Sequence, residues 1–306
     1  MNGKTGMTLA EKLESADRSI GAILVESGRL KQRDADRIVQ FQKDEDVRFG
    51  EAGIHLGLLT PADLLHALSL QFDYPYLNNT TSRPLSEEIV VAYRPFSPEG
   101  ERLRALRSQL QLRWYADANR RTSALCIVGA GRGAGRSYLA ANLAVTFAQL
   151  GERTLLIDGD MRAPRQHQLF KLDNQVGLSG LLARRNQEQV IHFVPGIHGL
   201  AVLPAGPMPP NPSELLSRPT FGHVLDQALG SFDVVLIDTP ALDSGADSTL
   251  LSRFAGTALA VARTGLTQID NFRDMVDHMS DAGVNVIGSV LVDVPPAKAS
   301  KAAAGA

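Results

Sequence analysis

The later two thirds of the chain alternate short apolar runs with longer stretches in which apolar residues recur at helical spacing. Two stretches of the helical kind are 138–150 and 268–281. The apolar runs predict buried β-strands at 124–128, 153–157, 233–237, 257–262 and 284–292. Strands that alternate with helices in this way are typical of a parallel sheet covered on both faces. The pattern predicts an α/β fold, a doubly wound parallel sheet, with its functional site at the carboxyl ends of the strands.

An internal repeat distinguishes the first part of the chain. The windows 19–42 and 48–71 have equal length, and each reads as a helix, a glycine-ended turn and a second helix. Thr60-Pro61 is typical of a helix start, with threonine as N-cap and proline at the first position. Two helical hairpins can bury their apolar faces against each other, so we expect a small helical domain over 17–77. The identical pairs are Gly21 and Gly50, Gly28 and Gly57, Leu30 and Leu59, Asp34 and Asp63, and Gln42 and Gln71.

Three further stretches show little periodicity. Residues 78–98 carry turn formers and prolines, which predicts a linker before an α/β domain over 99–294. Five prolines between 200 and 216 predict a stiff surface loop. Residues 295–306 are predicted to be a disordered tail.

Composition narrows the class of protein. The 306 residues are 44% hydrophobic and 21% charged, which is ordinary for a globular protein of two domains. The net charge of −2 gives no support to a nucleic-acid partner. The single cysteine, Cys126, lies in the first apolar run and is expected to be a core thiol. No signal peptide is evident, and no run approaches the ~20 apolar residues that span a bilayer. We therefore expect a cytoplasmic protein without direct membrane insertion, linked to the membrane only through a partner.

A glycine-rich turn joins the first apolar run to the helix that follows it. Glycines at alternate positions let backbone N–H groups curl around an anion, and a helix N-terminus adds partial positive charge. Gly135-Arg136-Ser137 stands where a P-loop has Gly-Lys-Ser/Thr. Ser137 would then place its hydroxyl on Mg²⁺, and Arg136 would lie beside the β- and γ-phosphates. The candidate nucleotide-binding residues are Gly131, Arg132, Gly133, Ala134, Gly135, Arg136, Ser137 and Tyr138.

Arginine is not equivalent to lysine at this position because its guanidinium is longer and planar. Taken alone, the turn also fits a packing device or a dinucleotide fingerprint.

Carboxylates follow two of the later apolar runs. Asp158 and Asp160 come directly after the second run, and Asp238 ends the third, as in a Walker B strand. One carboxylate of the first pair can position Mg²⁺ or its waters, and the other can accept a proton from an attacking hydroxyl. Asp238 would hold Mg²⁺. These residues favour a site for ATP and Mg²⁺, with Ser137, Asp238 and Asp158 as metal candidates and Asp158, Asp160 and Arg136 as catalytic candidates.

A predicted helix over 98–114 carries Glu101, Arg104 and Arg107 at three-residue intervals, roughly on one face. Spacing alone favours a solvated face with intrahelical pairs. The alternative is a subunit contact in which the glutamate meets an arginine of a neighbouring copy.

The N-terminal repeat resembles the N-terminal domain of type II secretion and pilus-assembly ATPases. The second copy carries the matching residues, Arg48, Phe49, Gly50, Gly57, Leu64, Leu68 and Gln71, whereas the first has Ser19 in place of the arginine. Some members of that family bind cyclic di-GMP through the paired motifs. The resemblance leaves two options open here, a protein-docking helical module without a ligand or a cyclic di-GMP site.

The α/β region resembles the cytoplasmic domain of the P-loop bacterial tyrosine kinases that control exopolysaccharide chain length. Several independent motifs carry the resemblance. They are Glu101-x-x-Arg104-x-x-Arg107, which matches the oligomerisation motif; 133–137, the end of Walker A; Asp158-x-Asp160-x-Arg162-x-Pro164, called Walker A′; the proline-rich loop 205–216; and Asp238-Thr239-Pro240 with Asp247, the Walker B region.

This resemblance implies ATP-dependent autophosphorylation on tyrosine. It also implies self-association into a ring through Glu101, Arg104 and Arg107, assembled at a membrane-anchored adaptor of the chain-length-regulator type. The protein would then be peripheral to the inner membrane.

The sequence departs from the family at three places. Arg136 replaces the lysine, residues 295–306 contain no tyrosine, and Val292 stands where relatives often carry an asparagine that reads adenine. The five tyrosines are Tyr74, Tyr76, Tyr93, Tyr115 and Tyr138. Three hypotheses follow: an autokinase that regulates polysaccharide polymerisation, a kinase-inactive ATP-dependent oligomerisation switch in the same system, and a partitioning-type ATPase. The last ranks lowest because Gly131 occupies the position of that group's extra lysine.

Overall fold

The computed structural model describes residues 19–71, 77, 84–115, 124–185 and 190–293. The chain divides into two compact units between Ser82 and Arg83. The predicted disordered tail lies outside the described residues, as do Tyr74 and Tyr76. No helix in the described ranges is long and apolar enough to cross a membrane.

The first unit contains the four helices that the repeat predicts. They are α1 (Ile20–Glu26), α2 (Gln32–Glu45), α3 (Phe49–His55) and α4 (Pro61–Gln71). Their apolar faces enclose a small core made of Ile23, Leu24, Leu30, Ala35, Ile38, Ala52, Leu59 and Ala67. Each copy of the repeat thus contributes one hairpin to a shared core.

Equivalent positions of the two copies have equivalent backbones. Gly28 and Gly57 end the first helix of each copy with φ of 70° and 64°. The predicted start of α4 is confirmed, since the Asp63 N–H donates to Thr60 Oγ1 (3.2 Å) and the Thr60 N–H donates to Asp63 Oδ2 (3.0 Å). An ion pair between Arg29 and Asp63 (2.9 Å) joins one copy to the other.

The second unit is built on a seven-stranded sheet in the order β3-β4-β2-β5-β1-β6-β7. All strand pairs are parallel except β3 with β4. This confirms the predicted parallel α/β sheet. The strands are β1 (Leu125–Val128), β2 (Thr154–Asp158), β3 (His192–Phe193), β4 (Leu200–Leu203), β5 (Val234–Asp238), β6 (Thr257–Arg263) and β7 (Asn285–Val292).

Helices lie on both faces of the sheet. The longer ones are α6 (Pro98–Leu110), α7 (Arg136–Gln149), α11 (Pro219–Ser231), α12 (Asp247–Ala255) and α13 (Ile269–Asp281). The short ones are α5 (Val90–Tyr93), α8 (Gln166–Leu169), α9 (Leu178–Leu182) and α10 (Pro212–Leu216). A π-helical turn (Gln111–Tyr115) follows α6, and a 3₁₀ turn (Leu242–Ser244) precedes α12.

The central strands are buried along their whole length, which explains their uninterrupted apolar sequences. Helix α7 packs on β1, β2 and β5 and is itself covered by α5 and α6. The Cys126 thiol is completely buried in β1, and burial raises its pKa to about 12. This confirms the prediction of a core thiol.

The predicted linker over 78–98 was wrong for its second part. Leu85, Ile89, Val91 and Ala92 are buried in the second unit, and helix α5 forms there. Two buried polar side chains of α7 hold this segment: Asn142 Oδ1 accepts from the Val91 N–H (3.3 Å), and Gln149 Nε2 donates to the Val91 carbonyl (3.1 Å). We call residues 84–94 the strap. The side chains that hold the strap lie more than 50 residues away in the sequence. The turn-forming residues of the strap itself therefore could not reveal that it is buried.

The predicted loop over 200–216 was also partly wrong. Its first four residues form the buried strand β4, and its end forms α10, which has Pro212 at the first helical position. Only the interval between these two elements is irregular. Proline is tolerated at the first turn of a helix, where its missing N–H has no partner to lose.

Candidate functional site

The glycine-rich turn 129–135 connects β1 to the N-terminus of α7, as the sequence predicts. Gly133 and Gly135 have φ of 78° and 94°, a region that L side chains rarely adopt. The Arg263 guanidinium donates to the Gly133 carbonyl (3.1 Å) from the end of β6. The backbone N–H groups at the start of α7 have no intrahelical acceptor, so this turn forms an anion-binding cradle.

Arg136 is folded beneath this turn instead of projecting from it. The residue is only 7% exposed. Its Nε donates to the Thr239 carbonyl (2.9 Å), and its Nη1 donates to the Gly131 carbonyl (2.8 Å). Burial lowers the pKa of this guanidinium, and the nearby carboxylates, Asp238 first among them, act in the opposite direction. In this conformation the arginine ties the turn to the end of β5.

Asp158 ends β2 and is completely buried. Both of its oxygens accept backbone hydrogen bonds: Oδ1 from Asp160 (3.2 Å), and Oδ2 from Arg165 (3.0 Å) and Gln166 (2.9 Å). Burial and the charge of Asp238 raise the pKa of Asp158 well above its ordinary value. The Asp158 carboxylate therefore holds the backbone of segment 160–166 in place.

Asp160 lies two residues further along, at the wall of the cavity described below. Its Oδ1 accepts from the N–H groups of Arg162 (3.1 Å) and Ala163 (2.9 Å). Its Oδ2 makes no hydrogen bond with the described residues, which leaves one carboxylate oxygen available to a ligand.

Asp238 ends β5 next to Asp158, its register partner on β2. Gln166 Nε2 donates to Asp238 Oδ2 (2.8 Å), whereas Oδ1 is buried and has no hydrogen-bond partner among the described residues. Burial raises the pKa of Asp238 to about 6, although the amide of Gln166 and the charge of Arg136 act against this. No sequence pattern singles out Gln166, because only the tertiary contact with Asp238 reveals its role.

The residues present fit a Mg²⁺ ion bound together with phosphate. Among the described residues no three His, Cys, Asp or Glu side chains form a metal cage. Mg²⁺ in nucleotide sites needs only one or two protein ligands, because phosphate oxygens and waters complete its shell. The unpartnered Oδ1 of Asp238 supplies one such ligand, and the raised pKa values of Asp158 and Asp238 indicate negative charge that a cation would offset. Ser137 lines the cavity that Asp160 also lines, and it is the second candidate ligand.

A cavity of about 740 Å³, in the range of small-molecule sites, opens beside Asp160. Asp158 and Asp238 are completely buried and do not line it. Residues 132–138 form one wall, and Asp160 and Arg162 lie on another. Seven of the eight predicted nucleotide-binding residues therefore line one space; Gly131 does not line it. The remaining lining residues are Glu88, Val90, Arg94, Glu99, Ala163, Arg165, Ala241, Ser244, Arg263 and Asp293.

The strap contributes Glu88 to the rim of this cavity. Both carboxylate oxygens of Glu88 accept from Arg165 Nη2 (2.7 and 2.8 Å). Sequence analysis missed Glu88, since it lies in the segment that was expected to be a linker.

These features find their counterpart in known proteins. No family model matches the chain. The putative tyrosine-protein kinase CapB of Staphylococcus aureus is 34% identical over 202 residues, which are 66% of this chain and 87% of CapB. This chain belongs to the bacterial tyrosine-protein kinases. The tyrosine-protein kinase YwqD of Bacillus subtilis is 32% identical and is covered over 86% of its length.

Solved structures agree with this membership. The kinase domain of the Escherichia coli tyrosine kinase ETK matches with a TM-score of 0.65 and 32% identity, over 75% of this chain and 89% of that domain. The chimerical protein CapA2B2 matches with a TM-score of 0.64 and 35% identity, over 75% of this chain and 99% of that chain. The chain spans only 29% of full-length Etk from Escherichia coli K12 and 28% of EpsB from Ralstonia solanacearum. The comparisons place this protein among the protein-tyrosine kinases.

The helix α6 of this tyrosine kinase carries the three residues predicted for self-association. Arg104 pairs with Glu101 on the same helix, donates to the Pro95 carbonyl, and lies 5.6 Å from the centre of the Phe96 ring. Arg107 Nη1 donates to the Thr146 carbonyl on α7 (3.0 Å). The side chain of Glu101 is 63% exposed, whereas that of Arg104 is only 15% exposed. The intrahelical pair that the spacing favoured is thus present, and Glu101 remains accessible to a second copy.

Proposed function

We propose that this kinase uses ATP to phosphorylate itself on tyrosine and thereby regulates the chain length and export of an exopolysaccharide. One observation carries the autokinase part: Asp158 and Asp238 are paired at the carboxyl ends of two adjacent strands, and Asp160, two residues beyond the first, lines one cavity together with the P-loop. The polysaccharide part rests on the motifs shared with chain-length-determinant kinases.

The residues that line the cavity and the buried Asp238 have different roles in the proposed transfer. The N–H groups at the start of α7 bind the phosphates, and Ser137 and Asp238 would hold Mg²⁺. When bound, Mg²⁺ would neutralise charge on the phosphates and on the Asp158–Asp238 pair. Asp160 orients the tyrosine hydroxyl and accepts its proton as the tyrosine oxygen bonds to the γ-phosphorus, while the bond from that phosphorus to the β–γ bridging oxygen breaks and ADP leaves. Between the two candidates for this role, the geometry supports Asp160, because both oxygens of Asp158 already hold backbone N–H groups. Positioning and charge neutralisation supply most of the rate.

The structure narrows the choice of acceptor tyrosine. Tyr93 is 6% exposed, and its hydroxyl both donates to and accepts from the backbone of Leu85 (2.8 and 2.9 Å). Tyr138 lines the cavity, and burial raises its pKa. We therefore expect label to be absent from Tyr93.

The test is incubation of the purified chain with Mg²⁺ and γ-labelled ATP, followed by mapping of the label by mass spectrometry. The expected result is label on a tyrosine other than Tyr93, and no label in Asp160→Asn. Wild-type protein that binds ATP and yet carries no label, even with the cytoplasmic segment of the adaptor present, would refute the autokinase.

A kinase-inactive oligomerisation switch is the second candidate. The inward conformation of Arg136 favours it, because the P-loop cation is engaged by the carbonyls of Gly131 and Thr239. In that case ATP would control self-association through Glu101, Arg104 and Arg107 without phosphoryl transfer. ATP-dependent light scattering in the absence of label is the result expected from this alternative.

The remaining assignments concern assembly. We propose a ring of copies that is held at the inner membrane by a chain-length-regulator adaptor. The helical first unit would dock a protein partner, and cyclic di-GMP is the alternative ligand for it. Calorimetric titration of the full chain with cyclic di-GMP separates these two roles. A binding heat that saturates at one site supports cyclic di-GMP as the ligand, and the absence of any binding heat supports protein docking.

A further inference from the structure

We propose that Arg162 places its guanidinium on the phosphoryl group as it is transferred, and that Asp247 and Ser213 are the positioning residues that hold it there. The proposal deepens the phosphoryl-transfer function proposed above and rests on it. It also gives a role to two residues that lie outside the cavity lining.

A buried carboxylate fixes the arginine from one side. Arg162 Nε donates to Asp247 Oδ2 (2.7 Å), and Nη2 donates to Asp247 Oδ1 (3.4 Å). Asp247 is the first residue of α12 and is 1% exposed. Such a two-point contact holds the guanidinium plane in one orientation.

The proline-rich segment supplies the third contact. Nη2 of Arg162 donates to Ser213 Oγ (3.3 Å), and the Ser213 hydroxyl donates to Asp247 Oδ1. Ser213 lies in α10, so the proline-rich segment is linked through Arg162 to the wall of the cavity.

The remaining nitrogen of the guanidinium is available. Asp247 and Ser213 engage Nε and Nη2, and Nη1 makes no hydrogen bond with the described residues. Arg162 lines the cavity together with Asp160 and Ser137, and its own N–H donates to Asp160 Oδ1. The unpaired donors therefore belong to a side chain next to Asp160, the carboxylate that we propose accepts the tyrosine proton.

Two other arginines of the cavity are held differently. Arg136 is buried beneath the P-loop and donates to backbone carbonyls. Arg165 is paired with Glu88, whose side chain is 42% exposed. Arg162 combines a buried anchor with free donors, the arrangement expected of a group that meets charge developing in a transition state.

The test compares ground-state and transition-state ligands in the full chain. A non-hydrolysable ATP analogue with Mg²⁺ reports ground-state binding, and ADP with aluminium fluoride and Mg²⁺ mimics the transferring phosphoryl. We expect Arg162→Gln to weaken binding of the aluminium fluoride complex by about 100-fold and binding of the analogue by less than about 3-fold.

The positioning residues should act through the same arginine. Asp247→Asn and Ser213→Ala are each expected to weaken only the aluminium fluoride complex, the former by about 10-fold. In Arg162→Gln/Asp247→Asn the loss should equal that of Arg162→Gln alone, because Asp247 no longer has a guanidinium to hold. Ser213→Ala keeps the test usable if Asp247→Asn does not fold.

A matched control removes another two-point Arg–Asp pair. Arg153 donates to both oxygens of Asp233 (2.9 and 2.7 Å) just before β2 and β5, at the opposite ends of these strands from the site. Arg153→Gln should leave both affinities unchanged.

Equal weakening of both ligands by Arg162→Gln, or additive losses in the double variant, would overturn the proposal and reduce the cluster to a structural role. Failure of the kinase function is distinguishable, since the wild type would then bind the aluminium fluoride complex in an Arg162-dependent way and still place no label on tyrosine.

Discussion

Asp158 and Asp238 are paired on adjacent parallel strands, and both carboxylates are completely buried. Burial is the first cause that raises the pKa of each, and the charge of Asp238 adds to the effect on Asp158. When both groups are ionised, the pair destabilises the fold, and a bound divalent cation would relieve that cost.

Asp238→Asn is expected to stabilise the protein at neutral pH in the absence of nucleotide. A carboxyl whose folded-state pKa is raised to about 6 binds its proton more tightly when folded, so its unfavourable contribution grows as pH rises from about 4 to about 6. The variant escapes this loss, which is on the order of 3 kcal/mol. Urea unfolding of both proteins at pH 5 and pH 7.5 measures it.

The critical outcome is whether Asp238→Asn has a higher or a lower free energy of unfolding than wild type. A variant that is less stable than wild type at pH 7.5 would contradict the assignment of a destabilising buried charge. The same variant should lose the rise in Tm that Mg²⁺ and ATP give the wild type, because it lacks the anionic Oδ1.

Asp160→Asn is expected to abolish phosphoryl transfer and to spare ATP binding. Asparagine keeps the Oδ1 acceptor that the N–H groups of Arg162 and Ala163 use, so the loop geometry survives. Only the ability to take a proton is removed, and a general base contributes about 10²–10⁴-fold to the rate. Transfer is followed with labelled ATP and binding by calorimetry, and retained transfer would refute the role.

Arg136→Lys is expected to keep or raise the transfer rate. A lysine cannot reproduce the planar contacts to the carbonyls of Gly131 and Thr239. Its ammonium is then available to the phosphates, at a cost in stability of about 1 kcal/mol. Transfer rate and urea midpoint are measured together, with Arg136→Met as the uncharged control. Collapse of nucleotide binding in Arg136→Lys would mean that the loop is shaped for arginine.

Replacement of Glu101, Arg104 and Arg107 by alanine is expected to reduce self-association, which light scattering measures. The single variant Glu101→Gln is the sharper form, because this side chain is 63% exposed and its loss changes stability by less than about 0.5 kcal/mol. Arg107→Ala also removes a contact to α7, so it should lower the urea midpoint as well. Unchanged scattering by Glu101→Gln would argue against an interface on this helix face.

Asn142→Ala is expected to release the strap and to lower the free energy of unfolding by about 2–3 kcal/mol. The side chain is fully buried and also donates to the carbonyls of Glu88 and Tyr138 (2.9 Å each). Its removal leaves buried backbone groups unpaired. Proteolysis should then cut within 84–94, whereas Ser108→Ala, an exposed helix control, should leave the strap resistant.

The sequence alone predicted the parts of the site that are continuous in the chain or that end a strand. The turn 129–135 lies between an apolar run and an amphipathic helix, so its cradle is a local consequence of chain order. Asp158 and Asp238 each end an apolar run, and parallel strands bring their carboxyl ends to one edge of the sheet. Hydrophobic patterning therefore determined the fold class and the place of the site.

Contacts between residues distant in the chain were decided only by the tertiary structure. The strap is buried because Asn142 and Gln149 pair its backbone from α7, and its turn-like sequence contains no sign of them. Arg136 turns inward because carbonyls of the P-loop and of β5 converge on it. Arg162 is held by Asp247, 85 positions away. Buried polar groups must find specific partners, and the packing of the helices on the sheet, more than any local pattern, determines which partners are within reach.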